Sequence, residues 1–461
     1  MVMARAIRRS TALIAAEGAL IFGAVVLTGY LRQDRPGWPA LVASSMLPKA
    51  VLIAVVCQFC LYYRDLYEGL VISNRQELLV RLFQGLGITS VILATVYFWI
   101  PSLVIGPGVF VAAVSLVALV ISSWRVVLVW TTTQLGPRER LLLVGTDAAA
   151  VALAGELLGR HDLGVEIVGF VDSDAARATA TMTHSEVIGT IEDIPAIVRA
   201  RSVDRVVVSL ADARGKLPMQ KLLEMRLDGV QFAHLASVYE EYTGRIAIEN
   251  LRPSWLIFSS GFDKTRTLMI AKRFIDITAA AAGVVLSLPL QLLIVIAVKI
   301  TSPGPVLYWQ QRVGRDGRIF TMCKFRSMRH HAEANTGAVW ARVGDDRVTA
   351  VGRFLRRTRL DELPQLWNIL AGDMSLVGPR PERPEFVAGL TRDIPFYGQR
   401  HVVKPGLSGW AQVRYTYTAS VEDAMKKLQY DLFYIKHMSV WFDLYIIFST
   451  VKIVLLRRGS C

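Results

Sequence analysis

The sequence predicts an α/β membrane protein that begins with a four-helix transmembrane bundle at 1–130 and continues into a Rossmann-like parallel-sheet domain at 138–237. Two observations support this prediction. Hydrophobic residues make up 53% of the 461 residues and charged residues only 20%, a balance that excludes a disordered chain. Before residue 130 the hydrophobic residues form long runs, whereas after residue 138 short apolar runs alternate with helical patterns.

Four apolar runs in the N-terminal part approach the length of about 20 residues that a helix needs to cross the hydrocarbon layer. They lie at 11–31, 46–63, 79–100 and 103–123. Arginines precede the first run and follow the second and fourth, so the positive-inside rule places both ends of the bundle in the cytoplasm. Glu17 and Lys49 lie within these runs. Either they form a buried functional pair, or Glu17 makes a contact between helices while the side chain of Lys49 extends to the membrane interface.

The chain is basic, with 52 lysine and arginine residues, 38 aspartate and glutamate residues, and a net charge of +14. A basic balance predicts an anionic partner. Beside so many apolar runs, phosphorylated metabolites and anionic membrane lipid fit better than nucleic acid, and we expect no nucleic-acid binding. The four cysteines are too few for a disulfide scaffold. Cys57 and Cys60 lie in an apolar run, which favours helix packing over metal binding or redox chemistry.

Strand patterns and helical patterns alternate through the second part, which is typical of a doubly wound parallel sheet. The predicted strands are 140–145, 165–172, 205–210 and 230–235. The first turn contains only Gly145, where a dinucleotide-binding turn has three glycines that let the backbone approach a pyrophosphate. NAD binding is therefore not expected, and a structural or regulatory module is preferred. Asp172 ends the second strand, where an acid either holds a ribose or is a polar strand end.

A fifth apolar run at 274–298 follows a linker at 238–267. Pro289 lies near its middle, and basic residues flank both ends. Proline removes a backbone donor and kinks a helix, so the segment either enters one leaflet and returns or crosses the membrane with a kink. The basic segment that follows favours the cytoplasmic side, but large domains can be translocated regardless of charge. The residues alone leave both topologies open.

Asp361 and Glu362, the acidic pair, are the residues that point most strongly to chemistry. Four arginines lie just before them: Arg353, Arg356, Arg357 and Arg359. We expect these arginines to lower the pKa of both carboxyl groups and to keep them ionised. Ionised carboxylates suit nucleophilic attack or Mg²⁺ binding rather than proton donation. The alternative is a surface helix with paired charges, and the pair taken alone favours that alternative.

Other short segments of the same region carry candidate groups that are weak evidence singly. Arg380 is held in a rigid Gly-Pro-Arg-Pro turn. With Arg383 nearby, it is suited to bidentate contact with phosphate. The remaining candidates in these segments are Arg312, Lys324, Arg326 and Asp431.

Taken in order and spacing, the segments resemble the monotopic phosphoglycosyl transferases, bacterial enzymes that start exopolysaccharide, capsule and O-antigen synthesis. The matching segments are KFRSM (324–328), RLDELPQLWNIL (359–370), GDMSLVGPRP (372–381), KPGLSGWAQV (404–413) and YDLFYI (430–435). The whole chain resembles the long form of that family, in which four membrane helices and a Rossmann-like domain precede a mostly α catalytic domain, here at 268–461. The most specific part of the resemblance lies after residue 269.

The resemblance implies transfer of a sugar-1-phosphate, expected to be that of glucose or galactose, from a UDP-sugar to undecaprenyl phosphate with release of UMP. This would be the first membrane step of exopolysaccharide biosynthesis. Asp361 would be the nucleophile that forms an aspartyl phospho-sugar, and Glu362 would hold the cofactor Mg²⁺. The other implied site residues are Lys324, Arg356 and Asp431 for catalysis and Arg380, Arg383, Arg326 and Arg312 for phosphate or substrate binding.

The resemblance also implies that the helix at 268–300 is re-entrant and broken at Pro289. The family usually breaks this helix at Ser-Pro, whereas this chain has Ser287-Leu288-Pro289. The expected location is the bacterial inner membrane, with the catalytic domain on the cytoplasmic face. An amphipathic tail at 440–456 would help to hold the domain there. The long N-terminal half offers a surface for a homodimer.

Two other functions fit parts of the sequence. One is a non-catalytic membrane scaffold of polysaccharide assembly, whose middle domain would sense a ligand. The other is a nucleotide-sugar oxidoreductase or epimerase that uses the Rossmann-like domain. The acidic pair with its arginines argues against the scaffold, and the single glycine of the first turn argues against the oxidoreductase.

Overall fold

The structure is a computed structural model that describes residues 2–32, 45–64, 66–67, 75–134, 139–159, 164–172, 186–209, 219–248, 259–329, 346–415 and 420–455. The chain divides into two compact units, Met1–Tyr242 and Thr243–Cys461. The first unit contains the N-terminal apolar helices and the parallel sheet. The second contains the fifth apolar helix and the acidic pair.

Four apolar helices open the first unit. They are α1 (Val2–Leu31), α2 (Met46–Tyr63), α3 (Arg75–Trp99) and α4 (Pro107–Gln134). Each contains a segment that is long and apolar enough to cross a membrane, as the four apolar runs predict. Side chains of all four, including Ile21 and Ile121, share one hydrophobic core, and such close packing is what holds helices together in lipid. Cys57 and Cys60 are buried in α2 as free thiols, which agrees with a packing role.

A buried ion pair joins the first and the fourth helix. Glu17 of α1 is fully buried, and its carboxylate lies 2.5 Å from Nε of Arg125 on α4. Tyr67 Oη donates a hydrogen bond to the same carboxylate at 2.6 Å. Lys49 donates instead to the carbonyl of Val104 at 3.0 Å. The suggested pairing of Glu17 with Lys49 is therefore wrong, and the alternative of a helix contact through Glu17 is observed.

Five strands form one parallel sheet in the rest of this unit. They are β1 (Glu139–Val144), β2 (Val165–Asp172), β3 (Val187–Thr190), β4 (Arg205–Val208) and β5 (Gln231–His234), in the order β3-β2-β1-β4-β5. The helices of this part are α5 (Ala148–Leu158), α6 (Ile194–Arg201), α7 (Met219–Leu227) and α8 (Leu235–Thr243). The predicted parallel sheet is confirmed. The sequence pattern does not predict β3, because four residues that include a glycine form no distinct apolar run. Leu210 of the third predicted strand lies outside the described residues.

The first turn of the sheet domain is filled by its own side chains. Asp147 caps α5 by accepting a hydrogen bond from the N–H of Ala150 at 2.9 Å, and it accepts another from Ser209. Asp172 accepts hydrogen bonds from the backbone and the hydroxyl of Thr146. Two carboxylates therefore lie where a pyrophosphate would meet the helix N-terminus. Their charge disfavours the binding of a dinucleotide at this turn.

The second unit is mostly helical, as the sequence predicts. Its helices are α9 (Arg266–Thr301), α10 (Ala350–Thr358), α11 (Gln365–Ala371), α12 (Pro384–Asp393), α13 (Trp410–Arg414), α14 (Val421–His437) and α15 (Val440–Leu455). Its strands are an antiparallel hairpin of β6 (Leu307–Val313) and β7 (Ile319–Phe325) and a parallel pair of β8 (Ser375–Val377) and β9 (Gly406–Ser408). Within the predicted linker, Gly244 accepts a hydrogen bond from Trp410. Linker residues 249–258 and the last residue of the predicted tail, Leu456, lie outside the described chain.

Helix α9 is one unbroken helix of 36 residues. The backbone stays helical through Pro289, so no residue leaves the helix there, and a bend at the proline stays a prediction. The proline lacks the N–H that would bond the carbonyl of Val285, yet the helix continues on both sides of it. Ser287 Oγ donates to the carbonyl of Gly283 at 2.5 Å, and Gln291 donates to Ser287 Oγ at 2.8 Å. The polar side chains around the proline are thus satisfied within the helix.

Both halves of α9 pack against the same globular domain. In the first half, Ala280 joins a hydrophobic core with Met322 of β7. Near the end, Val298 joins a second core with Phe325 of the same strand. Between these contacts large apolar side chains are exposed, such as Leu286 at 81%. The middle of the helix therefore presents an apolar surface, while both flanking segments are anchored in one domain.

Candidate active site

The acidic pair lies in a single turn of 3₁₀ helix, Leu360–Glu362, between α10 and α11. Arg359, immediately before it, has a φ of 54°, a left-handed conformation that ends α10 and is costly for a residue other than glycine. Leu363 packs into the core that also contains Val298. The two carboxylates are therefore presented by a tight, well-anchored turn and not by a continuous surface helix.

The carboxylate of Asp361 is surrounded by positive charge without being paired. The residue is 8% exposed, and no hydrogen bond or ion pair within the described parts of the chain holds its oxygens. Burial raises the pKa of Asp361 to about 6, and the adjacent charge of Glu362 adds to this. Lys324, Arg356 and Arg380 act in the opposite direction but do not outweigh the loss of hydration. The arginines therefore act on the pKa of Asp361 in the expected direction, but the expected net lowering is wrong because burial outweighs them.

Glu362 is paired, in contrast to its neighbour. Nη2 of Arg380 donates to its carboxylate at 2.7 Å, and Nη1 of Arg359 lies 3.9 Å from its other oxygen. Burial alone would raise the pKa of Glu362, but the two guanidinium groups lower it below its usual value. For this carboxyl group, the predicted effect of the arginines is confirmed.

Lys324 is the cation that the β6–β7 hairpin contributes to the site. It lies on β7 directly opposite Tyr308 of β6, and its Nζ is 5.1 Å from the centre of the Tyr308 ring, a cation–π contact. Burial lowers the pKa of Lys324 to about 8, and the charge of Arg312 adds to this, although Asp361 opposes it. Lys324 is therefore still largely protonated at neutral pH.

Arg356 reaches the site because α10 packs closely on the chain that leaves β7. Nε of Arg356 donates to Ser327 Oγ at 2.8 Å. Thr349, which caps α10, donates its N–H to the carbonyl of Ser327 at 3.1 Å. Gly352 allows this approach, since a Cβ at its position would overlap the carbonyl group of Ser327. The glycine therefore fixes how near Arg356 comes to the acidic pair.

We expect Gly352→Ala to lower the free energy of unfolding by about 1–3 kcal/mol, the usual cost of overpacking, because main-chain atoms of Ser327 cannot yield. Thermal unfolding of the protein in detergent measures the effect. Gly389→Ala is the matched control, since a Cβ at this position of α12 meets nothing within 4 Å. The control should be neutral or slightly stabilising. Equal melting temperatures for the Gly352 variant and the unaltered protein would contradict the close approach.

Two of the arginines predicted to bind phosphate are buried in the structural framework. Arg326 is 5% exposed and donates to the carbonyls of Ser302 and Pro303, at 2.7 and 2.9 Å, where α9 ends. Arg383 is buried directly before α12. These contacts give Arg326 a role in holding the end of the long helix. Phosphate binding by Arg326 and Arg383 stays a prediction.

The Arg380 turn, residues 378–384, is held from two directions. From β6, Nη1 of Arg312 donates to the carbonyl of Pro381 at 3.0 Å and lies 3.7 Å from the carboxylate of Glu382. From another segment of the chain, Nη2 of Arg400 donates to the carbonyl of Arg380 at 2.9 Å. Arg312 is therefore close to the site, as predicted, but part of its hydrogen-bonding capacity is used on the turn.

Asp431, which the resemblance places in the catalytic group, forms a buried ion pair with Arg400 at 2.8 Å. Burial raises the pKa of Asp431 although Arg400 opposes this. Arg400 also donates to Tyr397 Oη at 2.8 Å. Arg400 is not predicted from the sequence, because the residue lies between the recognisable segments and no spacing links it to Asp431.

The acidic pair offers oxygen ligands of the kind that Mg²⁺ takes. Among the described residues, no group of three or more His, Cys, Asp or Glu side chains is arranged to hold a metal ion. Mg²⁺ at phosphate-transfer sites, however, is held by one or two carboxylates together with water and substrate phosphates. Asp361 and Glu362 fit that donor set, with the carboxylate of Glu362 shared with Arg380.

Comparisons with known proteins agree with this architecture. The sequence model of the bacterial sugar transferase family matches residues 267–457, and that of a CoA-binding domain matches residues 63–224. UDP-N-acetylgalactosamine-undecaprenyl-phosphate N-acetylgalactosaminephosphotransferase of Aeromonas hydrophila is 40% identical over 280 residues, which cover 60% of this chain and 65% of that protein.

Two relatives carry the name UDP-glucose:undecaprenyl-phosphate glucose-1-phosphate transferase. That of Xanthomonas campestris pv. campestris is 34% identical over 335 residues, which cover 70% of this chain and 68% of that protein. That of Escherichia coli (strain K12) is 34% identical over 328 residues, which cover 68% of each chain. The chain thus spans about two thirds of the length of the curated relatives it matches.

Apolar helices, a parallel-sheet domain and a helical domain with a buried acidic pair define a membrane-associated transferase. The chain belongs to the bacterial sugar transferase family, in the long phosphoglycosyl transferase form that the sequence resembles. Five helices of the described chain are long and apolar enough to cross a membrane, in keeping with a membrane protein.

Proposed function

We propose that this protein transfers the 1-phosphate of a hexose or an N-acetylhexosamine from a UDP-sugar to undecaprenyl phosphate and releases UMP. The reaction would be the first membrane step of exopolysaccharide synthesis. One observation carries the proposal: the buried carboxylate of Asp361 has positive groups around it, and no ion pair with another described residue holds it. Such a carboxylate is free to attack phosphorus, and the cations attract the diphosphate that it must attack.

In the first step, a carboxylate oxygen of Asp361 attacks the phosphorus that carries the sugar. The bond from that phosphorus to the oxygen bridging the two phosphates breaks, and UMP leaves with the bridging oxygen. In the second step, a phosphate oxygen of undecaprenyl phosphate attacks the same phosphorus. The bond to Asp361 breaks, which restores the carboxylate and yields the lipid diphosphate sugar. A covalent intermediate lets a soluble donor and a lipid acceptor use one site in turn.

The cations of the site stabilise charge that develops on the leaving phosphate. Lys324 and Arg356 lie near Asp361, and Arg380 is suited to bidentate phosphate contact once the diphosphate competes with Glu362 for it. Glu362, with Asp361 beside it, would hold Mg²⁺. Bound Mg²⁺ would neutralise diphosphate charge without proton transfer.

The membrane arrangement brings this chemistry to the level of the lipid phosphate. The four N-terminal helices form a transmembrane bundle, and α9 enters one leaflet and returns. Support for re-entry comes from the packing of both halves of α9 on one domain. Trp441 on α15 is 82% exposed and is suited to the membrane interface. The domain lies on the cytoplasmic face of the inner membrane, where the basic charge meets anionic lipid.

Release of UMP by the purified protein in lipid nanodiscs tests the proposal. UDP-glucose, UDP-galactose, UDP-N-acetylglucosamine and UDP-N-acetylgalactosamine are supplied separately, with undecaprenyl phosphate and Mg²⁺. Release from one donor that stops on adding EDTA would support the proposal and identify the sugar. No UMP from any donor would favour the scaffold. A change in the sugar that needs NAD and yields no UMP would favour the oxidoreductase or epimerase.

The pH dependence of the first step should report the pKa of Asp361. The carboxylate attacks only when ionised, so the rate should fall as the pH drops below about 6. It should fall again above about 8, where Lys324 loses its proton. A burst of UMP without lipid acceptor is the measurement, since the acceptor phosphate itself titrates near pH 6. Lys324→Arg should remove the upper limb, and a flat profile between pH 5 and 9 would contradict both assignments.

A further inference from the structure

A chain of hydrogen bonds runs from the interior of the second unit to the acidic pair. Asp431 of α14 accepts hydrogen bonds from Nε and Nη2 of Arg400 at 3.1 and 2.8 Å. Nη2 of Arg400 also donates to the main-chain carbonyl of Arg380 at 2.9 Å. The side chain of Arg380 in turn donates to Glu362 at 2.7 Å. Each of these distances is that of a normal hydrogen bond.

The inner part of this chain is closed to substrate. The side chain of Asp431 is 2% exposed and that of Arg400 is 5% exposed. Tyr397, itself buried, accepts a further hydrogen bond from Nη1 of Arg400. Charged groups removed from water are stable only while their hydrogen bonds are made. Asp431 would have to abandon its partner to touch a donor or an acceptor, which argues against a direct part in the reaction.

We propose that Asp431 and Arg400 are positioning residues that fix the main chain at Arg380 and, through it, the guanidinium that pairs with Glu362. The inference rests on the proposed function and moves Asp431 out of the group that contacts substrate. Arg400 suits this task because its rigid, planar fork makes several bonds in fixed directions. Backbone hydrogen bonds hold the neighbouring residues of the turn, from the N–H of Gly378 to the carbonyl of Ser408 at 2.9 Å and from the N–H of Gly406 to the carbonyl of Pro379 at 3.0 Å. Arg400 adds the hydrogen bond to the carbonyl of Arg380 itself.

A double-mutant cycle tests the proposal with the rate of UMP release in nanodiscs. Asp431→Asn should lower kcat about 100-fold, the loss that follows from a misplacement near 1 Å. In an Arg380→Ala background, the same change should cost no more than about 3-fold, because the side chain that it positions is already gone. Asp431→Asn should lower the melting temperature by the same amount in both backgrounds, because the ion pair between Asp431 and Arg400 does not involve the side chain of Arg380.

Two further variants keep the test decisive. Tyr397→Phe removes a single acceptor from Arg400 and should cause a smaller loss of activity, which should also vanish in the Arg380→Ala background. This variant keeps the test possible if Asp431→Asn fails to fold. Asp423→Asn is the matched control on the same helix. Asp423 is buried and bonds Ser420 and Tyr415. Its effect on activity should be the same in both backgrounds.

If the loss of activity in the double variant equals the product of the losses for Asp431→Asn and Arg380→Ala to within about twofold, the two residues act independently. That result would overturn the positioning role. Full activity of Arg380→Ala would overturn it as well. Absence of UMP release from the unaltered protein would contradict the proposed function instead, so the two failures are distinguishable.

Discussion

Replacement of Asp361 by asparagine should abolish sugar-phosphate transfer while leaving the fold intact. Asparagine has nearly the same volume, so the turn between α10 and α11 is preserved, but its amide cannot form the phosphorus–oxygen bond. We expect a loss of about 10³-fold or more in UMP release. Folding raises the pKa of Asp361, so the ionised carboxylate lowers the free energy of unfolding at neutral pH. A neutral amide should therefore leave the melting temperature unchanged or higher.

UMP release and thermal unfolding are measured on the same preparation. Asp393→Asn is a suitable control, because its carboxylate at the end of α12 is 45% exposed and bonds only its neighbour Arg392 among the described residues. The control should keep full activity. Folded Asp361→Asn protein with undiminished activity would overturn the covalent mechanism.

The second large effect concerns the membrane helices. Arg125→Met should lower the free energy of unfolding by about 3–5 kcal/mol, because it leaves the carboxylate of Glu17 buried and unpaired. It also removes the donor to the carbonyl of Leu66. We expect a lower melting temperature in detergent and a poor yield of monodisperse protein.

The double variant Glu17→Met/Arg125→Met should be more stable than the single Arg125 variant, since no isolated charge stays in the core. Lys49→Met is the control for the loss of a cation in the same region. Lys49 bonds the carbonyl of Val104 in an exposed setting, so its replacement should cost little. Equal stability of Arg125→Met and the unaltered protein would show that the ion pair does not hold the helices together.

Local patterns allowed much of the fold to be predicted. The apolar runs identify the long helices, and the alternation of strand and helix patterns identifies the parallel sheet, because both signals repeat within a few residues. The acidic pair and the Arg380 turn are also short continuous segments. The structure places Lys324, Arg356 and Arg380 around Asp361, as the resemblance implies.

The rest depends on contacts between distant residues. Lys49 lies within an early apolar run, but the partner of Glu17 lies 108 positions along the chain on another helix. Burial of Asp361 comes from the surrounding fold, so the sequence suggests a lowered pKa where the structure gives a raised one. The backbone at Pro289 stays helical because a long helix tolerates the loss of one backbone hydrogen bond. The sequence around the proline does not show whether the helix continues through it.

The packing of α9 links the acidic pair to a helix that we propose to lie in the membrane. Val298 near the end of this helix shares a core with Leu360 and Leu363, which flank the acidic pair. A change in hydrocarbon thickness makes a membrane helix tilt or bend. In the proposed membrane arrangement, such a movement of α9 would reach Asp361 through Leu360 and Leu363. The same core means that a water-soluble version made by deleting α9 would lose the support of its own catalytic turn. In the proposed membrane arrangement, the surrounding lipid would therefore be part of what holds Asp361 in place.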